Sequence, residues 1–295
     1  MSENNLIDIA GFNGLVQTKN GYLIFNKNDI YIGRGLQKYG EWSEGEVDLF
    51  EQLCATGSVV VEVGANIGAH TLALSKIVGD DGRVMAFEPQ RLSFQILCGN
   101  MAINSIKNVD CLNCGLSSKN DELYIDEISP NTEYNFGSLS MNNKKAGVRT
   151  FVFELDHFFG LGKLDLLKID VEGMEKEVIN GAKSVIEKYK PFIYVENDRA
   201  ENSKELIELI ESLDYKLYWH FPYLINPEKI GDDESSIFYN KISANMVCFH
   251  KSSAVDMKSF EPVIDSADTW KDGFKRQQKN DRAIYAKQQL GIDLT

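Results

Sequence analysis

The chain has 295 residues, 43% hydrophobic and 25% charged, with 3 Trp, 12 Tyr and 16 Phe against 6 Pro. That composition excludes a disordered polymer and allows one large α/β domain with additions, or two small domains. A net charge of −13 argues against nucleic acid or an anionic lipid surface as partner. No apolar run reaches the roughly 18 residues of a membrane span, so no membrane insertion is expected, and MSENNLIDIAG lacks the marks of a secretory signal.

In chain order, Asn20-Gly21 between apolar stretches of 12–32 predicts a β-hairpin, with another turn near Asn28-Asp29. Val47, Phe50 and Leu53 lie at helical spacing. Ser43 and Glu46 have capping-box spacing, so a helix is expected over 43–54. Residues 1–55 therefore read as an N-terminal cap. Ser58–Val63 is a β-branched strand ended by Gly64, and a helix pattern covers Ala69–Val78. A second strand (83–88), a helix (92–104) and a third strand (108–116) follow. This alternation predicts βαβ units and a parallel sheet covered on both faces.

Residues 117–150, rich in Ser, Asn and Lys, read as a hairpin-bearing insertion, with 150–155 as its last strand. The α/β rhythm resumes with a strand (164–170), a helix over Met174–Tyr189 and a strand (191–197). A helix around 206–213 and two strands, 215–220 and 244–251, complete the 56–252 unit. Residues 221–243 form a loop long enough to be functional, and its aromatics argue for order. The tail, 253–295, is polar, with a helix around 275–290.

The five cysteines (Cys54, Cys98, Cys111, Cys114, Cys248) sit among apolar neighbours and are expected to be reduced, in a cytoplasmic protein. Cys111 and Cys114 form a CxxC inside a predicted strand, where i and i+3 face opposite sides. Core thiols, rather than zinc ligands, are expected.

The sharpest chemical feature is VEVGANIGAH (61–70), a strand running into a glycine turn that opens a helix. Gly64 and Gly68 allow close backbone approach to a ligand, and the helix start offers free N–H groups. The spacing is not G-x-G-x-x-G, so the pyrophosphate of a dinucleotide such as NAD is not accommodated. Glu62 suits a ligand with a cationic amino group. Glu88, in FEPQ at the second strand's end, suits the two ribose hydroxyls of a nucleoside. An adenosine carrying an amino-acid group means S-adenosylmethionine (SAM).

VEVGANIGAHTLALSK, VMAFEPQ, LDLLKIDVEGMEKEVINGA and PFIYVEN, in this order, resemble the FkbM family of class I SAM-dependent methyltransferases. The likeness runs from about 40 to 250, with Glu62 where the family usually has Asp. It implies a Rossmann-like α/β fold: a seven-stranded mixed sheet of order 3-2-1-4-5-7-6, flanked by helices, its seventh strand antiparallel. It also implies SAM contacts at Glu62, Gly64, Asn66, Gly68 and Glu88, with adenine lined near Gly115 and Leu116. Asp170 is then expected to face the amino-acid end or the transferring methyl. Family members mostly methylate hydroxyls, often on sugars or polyketide-type natural products. The expected activity is therefore O-methylation of a glycan or natural-product-type small molecule. An amine acceptor, or SAM binding without catalysis, are the competing readings.

In KIDVEGMEKE (168–177), Asp170 and Glu172 are the candidate catalytic carboxylates, while Glu175 and Glu177 read as acids of a helix's first turn. Glu196 and Asn197 end the neighbouring strand and are expected to hydrogen-bond the acceptor. With Asp170 they also suit a hard divalent cation, the less favoured reading. His70 opens the first helix and is expected near the SAM carboxylate. His220, with Tyr223 beside it in YWHFPY, is the candidate general base, and these aromatics also suit sugar stacking. Tyr39, Glu41 and Trp42 are expected to close over the cofactor as a lid.

Overall fold

A computed structural model describes residues 6–158, 162–255, 257 and 260–285. Its main sheet contains β1 (Val59–Val63), β2 (Arg83–Phe87), β3 (Val109–Leu112), β4 (Leu166–Ile169), β5 (Phe192–Glu196), β6 (Tyr215–His220), β7 (Asn245–His250) and β8 (Glu261–Pro262). Their order is 3-2-1-4-5-7-6-8. Strands β1 to β5 are parallel, and β7 runs antiparallel between β5 and β6. This is the expected class I order, extended at one edge where the tail adds the two-residue β8.

The period of two divides the sheet's faces. Val61, Val63, Leu167 and Ile169 pack with Val178, Ile186 and Ile207 from the helices on one side. Val60, Val84, Leu166 and Tyr194 pack with Leu49, Phe50 and Leu74 on the other. The helix Glu44–Leu53 thereby seats the N-terminal cap on the same face as Glu62 and Lys168, two charged residues in otherwise apolar strands. Strand register makes these two Cα partners.

Several expectations need correction. The third strand stops at Leu112, because the Asn113 side chain donates to the Glu88 carbonyl (2.9 Å) and the chain turns. Gly115–Leu116 then pairs with Val148–Phe153 in a separate sheet that includes Asp121–Ile125 and Met141–Asn142. The single helix expected over 174–189 is two, Glu175–Asn180 and Lys183–Tyr189. The break lies where Gly181 meets the Ser117 carbonyl, leaving no room for a Cβ. The Asp156 carboxylate accepts the Ser184 and Val185 N–H groups there, at 3.0 and 2.9 Å. That bond pair restarts the helix as an N-cap does.

At the N-terminus the hairpin forms, Asn13–Thr18 with Gly21–Asn26, its two-residue turn falling on Lys19-Asn20. The helix Ile32–Tyr39 was not expected, although Ile32, Leu36 and Tyr39 have its spacing. The capping box does not form. Ser43 sits in the left-handed region (φ 45°), and its hydroxyl donates instead to the Glu46 carboxylate at 2.8 Å. The tail helix begins earlier than expected and is Trp270–Tyr285, while 286–290 lie outside the described residues.

The 221–243 loop is ordered around Phe238, which is buried and meets Tyr31, Tyr39 and Trp42 edge-on. The five cysteines are free thiols. Cys114 joins the core on one face of the sheet and Cys111 packs toward the other. No helix of the described residues is long and apolar enough to cross a membrane.

Candidate functional site: a cleft at the C-terminal edge of the sheet

The strand ends of β1, β2, β4 and β5 open into a cavity of about 480 Å³. That size is ordinary for a small-molecule site, and the carboxyl edge of parallel strands is where such sites form. The Gly64–Gly68 turn is its floor. Gly64 has φ +83°, and a Cβ there would overlap the Asp170 carbonyl oxygen. Gly68 has φ +84° and lies against Leu97, below the cavity wall rather than in it.

Glu88 organises one end. Its carboxylate accepts the Asn66 N–H at 2.8 Å and the Gln90 N–H at 2.7 Å. Burial, partly offset by these bonds, raises its pKa to about 7. The Gln90 side chain donates to the Phe136 carbonyl at 3.2 Å, so the insertion is pinned over this end. Gly115 lines the wall here, as does the buried Phe136, which sequence reasoning missed. Leu116 points into the core instead. The missed aromatic carried no signal, since a Phe in an irregular insertion has no periodicity.

The middle is a buried charged cluster. The Lys168 ammonium lies 3.5 Å from Glu62 and 3.7 Å from Asp170. Burial alone would lower its pKa, but Glu62, Asp170 and Glu46 hold it above the ordinary lysine value. The Thr71 hydroxyl donates to Glu62 at 2.6 Å. Glu46 and Trp42 enter from the N-terminal cap, and both line the cavity. Tyr39 and Glu41 do not; Tyr39 packs on Phe238, and Glu41 pairs with Lys229 at 2.7 Å. His70 is buried beside Glu46, and desolvation with the nearby Lys168 lowers its pKa to about 4. Asn66 Oδ1 and His70 Nε2, on two residues of the cavity wall, are buried without a hydrogen-bond partner.

The other end is acidic. Asp170, Glu172, Glu196 and Asp198 all line it. Glu172, at φ 55°, is held by Arg199 at 2.5 Å. Burial and the neighbouring Asp170 raise its pKa to about 7. Burial, with Asp170 and Asp198, pushes Glu196 well above the usual carboxylate range. Asp170, Glu172 and Glu196 each offer an oxygen within 4.8 Å of the others. That donor set suits a hard cation, but Arg199 already supplies positive charge to it. Trp270 from the tail lines the same end, its indole N–H donating to the Asp198 carbonyl at 2.9 Å.

Three further expected site residues, besides Gly68, are elsewhere. His220 lies outside the cavity lining, its Nδ1 2.9 Å from the Tyr194 hydroxyl and its ring against Phe260. Burial lowers its pKa to about 4, so it is a neutral packing group rather than a base at the cleft. Asn197 is buried and donates to the Met246 sulfur at 3.4 Å, so the carboxylate set is completed by Glu172 instead. Tyr223 is exposed and absent from the cavity lining, although its backbone bridges to Ile242, which does line it. Asn197 faces the opposite side of the sheet from Glu196, whereas His220 shares the face of Glu196 but stands on β6, beyond β7, too far along the sheet to reach the cleft.

Residues 62–217 match the model of the methyltransferase FkbM domain. Methyltransferase sdnD of Sordaria araneosa is 27% identical over 154 residues, covering 41% of this chain and 59% of that protein. Methyltransferase 1 of Beauveria bassiana is 27% identical over 145 residues, covering 42% of this chain and 58% of that protein. The chain thus aligns with somewhat over half the length of these relatives. Among solved structures, methyltransferase FkbM from Methylobacillus flagellatus aligns at 16% identity and TM-score 0.43, covering 69% of this chain and 50% of that one. A SAM-dependent O-methyltransferase from Thermotoga maritima aligns at 13% identity and TM-score 0.45, covering 82% and 79%. With the FkbM model matched over more than half of its length, the chain belongs to the FkbM methyltransferase family.

Proposed function

We propose that the chain transfers a methyl group from SAM to a hydroxyl of an uncharged, polar small molecule, of sugar or natural-product type. The observation that carries this is one continuous cleft, with Glu88 and the glycine turn at one end and four carboxylates at the other. The fit to SAM rests on the chain's own atoms. The Gly64 turn excludes any side chain, Glu88 offers a carboxylate for ribose hydroxyls, and Asn66 and His70 present unpaired buried polar atoms.

SAM, when bound, supplies a methyl group on a positively charged sulfur. Glu88 would orient the ribose, while Gly115 and Phe136 enclose the base. Asp170 sits between the two ends and orders the line from acceptor to methyl, the alignment from which most of the rate comes. Glu196, held above the usual carboxylate range by burial and like charges, is suited to take the hydroxyl proton. Trp270 offers an apolar face and shields this end from water. The carboxylates at this end have their neighbouring guanidinium, Arg199, already paired with Glu172, so they offer nothing to hold a phosphate or carboxylate, which favours a neutral acceptor over an anionic one. They also suit an ammonium group, so an amine acceptor is the second reading.

The test is methyl transfer from labelled SAM to a panel of neutral glycosides, amines and phosphorylated sugars, with the new bond located by NMR. A new methyl ether supports the reading. A methylamine product favours the second. Methylation confined to phosphorylated acceptors would sink both.

A further inference from the structure

We propose that Glu46, carried in by the N-terminal cap, binds the α-ammonium group of SAM. The inference rests on the SAM reading above and extends the cofactor site beyond residues 62–217.

Position comes first. Glu46 stands in the first turn of the Glu44–Leu53 helix, which packs on the face of the sheet that carries Glu62 and Lys168. Its side chain is 7% exposed and belongs to the cavity wall. It lies 3.9 Å from His70, on the helix that the glycine turn opens, while Glu88 holds the turn's Asn66 N–H, so an adenosine held at Glu88 sends its amino-acid arm this way.

Charge comes second. Glu62, the carboxylate expected to meet that ammonium, is already engaged by Thr71 and Lys168. Glu46 is not so compensated. It accepts the Ser43 hydroxyl, a neutral donor, at 2.8 Å. Among the described residues its one ion-pairing neighbour is His70 Nδ1, at 3.9 Å. His70 is neutral near pH 7, and the Lys168 ammonium makes its contacts with Glu62 and Asp170. Burial raises the Glu46 pKa to about 7 even though Lys168 acts on it from a distance, the mark of a carboxylate with no cation in contact. A primary ammonium brought into the cavity supplies that missing charge. The cofactor's own carboxylate has separate donors in the free N–H groups that open the Ala69–Val78 helix.

Ser43 explains why the helix begins as it does. Its hydroxyl is spent on Glu46 rather than on the backbone, so the usual capping bond is given up to orient this carboxylate.

The test is titration calorimetry of the full chain with two probes. S-adenosylhomocysteine carries the amino-acid arm, and 5′-methylthioadenosine has the same adenosine and thioether without it. Glu46→Gln keeps the shape and removes the charge. We expect it to weaken S-adenosylhomocysteine at least about tenfold, the scale of a lost charged hydrogen bond, and to leave methylthioadenosine unchanged. Equal loss for both probes means a structural role and overturns the inference. Unchanged or tighter S-adenosylhomocysteine binding overturns it too, since tighter binding would place the cofactor's carboxylate there. If the wild-type chain binds neither probe, it is the SAM reading itself that fails.

Discussion

Glu88 and Asn66 are joined by a 2.8 Å bond from the Asn66 N–H to a Glu88 carboxylate oxygen, tying the end of β2 to the turn after β1. Asn66 lies at φ 50°, in the left-handed region, and the carboxylate helps to hold it there. The residue that would face ribose thus also sets the shape of the cofactor turn.

This double duty predicts a pH dependence. The Glu88 pKa is raised to about 7 in the folded chain, above its ordinary 4.5. The folded state therefore holds a proton that the unfolded state has released, so this group favours folding at low pH. Its contribution is complete below about 4.5 and is lost as pH rises through about 7. Binding runs the opposite way, because ribose hydroxyls need the ionised carboxylate. We expect S-adenosylhomocysteine affinity to fall as pH drops below 7, by up to about tenfold per pH unit. Calorimetry from pH 5 to 8 on wild type and Glu88→Gln checks this; the variant should bind weakly and show a flatter profile.

Gly64 and Gly68 share nearly the same φ but have different neighbours. Gly64→Ala would press a Cβ into the Asp170 carbonyl, which is backbone and cannot yield. We expect a loss of more than about 3 kcal/mol. Gly68→Ala meets the end of the Leu97 side chain at 2.5 Å, which can turn aside. Its cost should stay near about 1–2 kcal/mol, mostly from the left-handed backbone. Denaturant melts of the two variants separate the cases.

His220 and Glu196 predict opposite outcomes. His220→Asn should leave methyl transfer close to wild type and cost about 1 kcal/mol for the bond to Tyr194. Glu196→Gln should fold normally and lower kcat by about 10²–10⁴-fold, the range for loss of a general base. Turnover with labelled SAM on an acceptor found by the panel measures both. An inactive His220→Asn of normal stability would contradict the assignment.

Asp268 anchors the tail. It accepts the indole N–H of the fully buried Trp219 at 3.1 Å and pairs with Arg276 at 2.6 Å. Asp268→Ala leaves that indole without an acceptor. We expect a loss of about 2–3 kcal/mol in unfolding free energy and a change in near-ultraviolet circular dichroism. Trp270 lines the acidic end of the cavity from the same segment, so under the proposed function acceptor affinity should weaken with it.

The order of elements was legible in the sequence wherever the signal is local. β1, the Ala69–Val78 helix and β6 carry their own periodicity, and the spacing of the glycine turn and Glu88 already singled out the two features that meet through the Asn66 N–H. The βαβ alternation carried the parallel sheet with it, because parallel neighbours need crossover helices. What local patterns do not hold is where distant segments meet. The helix break at Gly181 depends on the Ser117 carbonyl, 64 residues earlier in the chain by their numbers. The third strand bends because Asn113 finds the Glu88 carbonyl. His220 ends a strand as a site residue does, yet β7 lies between its strand and β5, so it reaches Tyr194 and not the cleft. Glu46 looks like half of a capping box, yet packing of the cap on the sheet delivers it to the cavity wall. Sequence alone determined most of the elements, the family likeness and the pairing of the glycine turn with Glu88, since each rests on neighbours along the chain. Only tertiary structure decided which carboxylates share one space, because burial and mutual charge depend on residues that folding brings together.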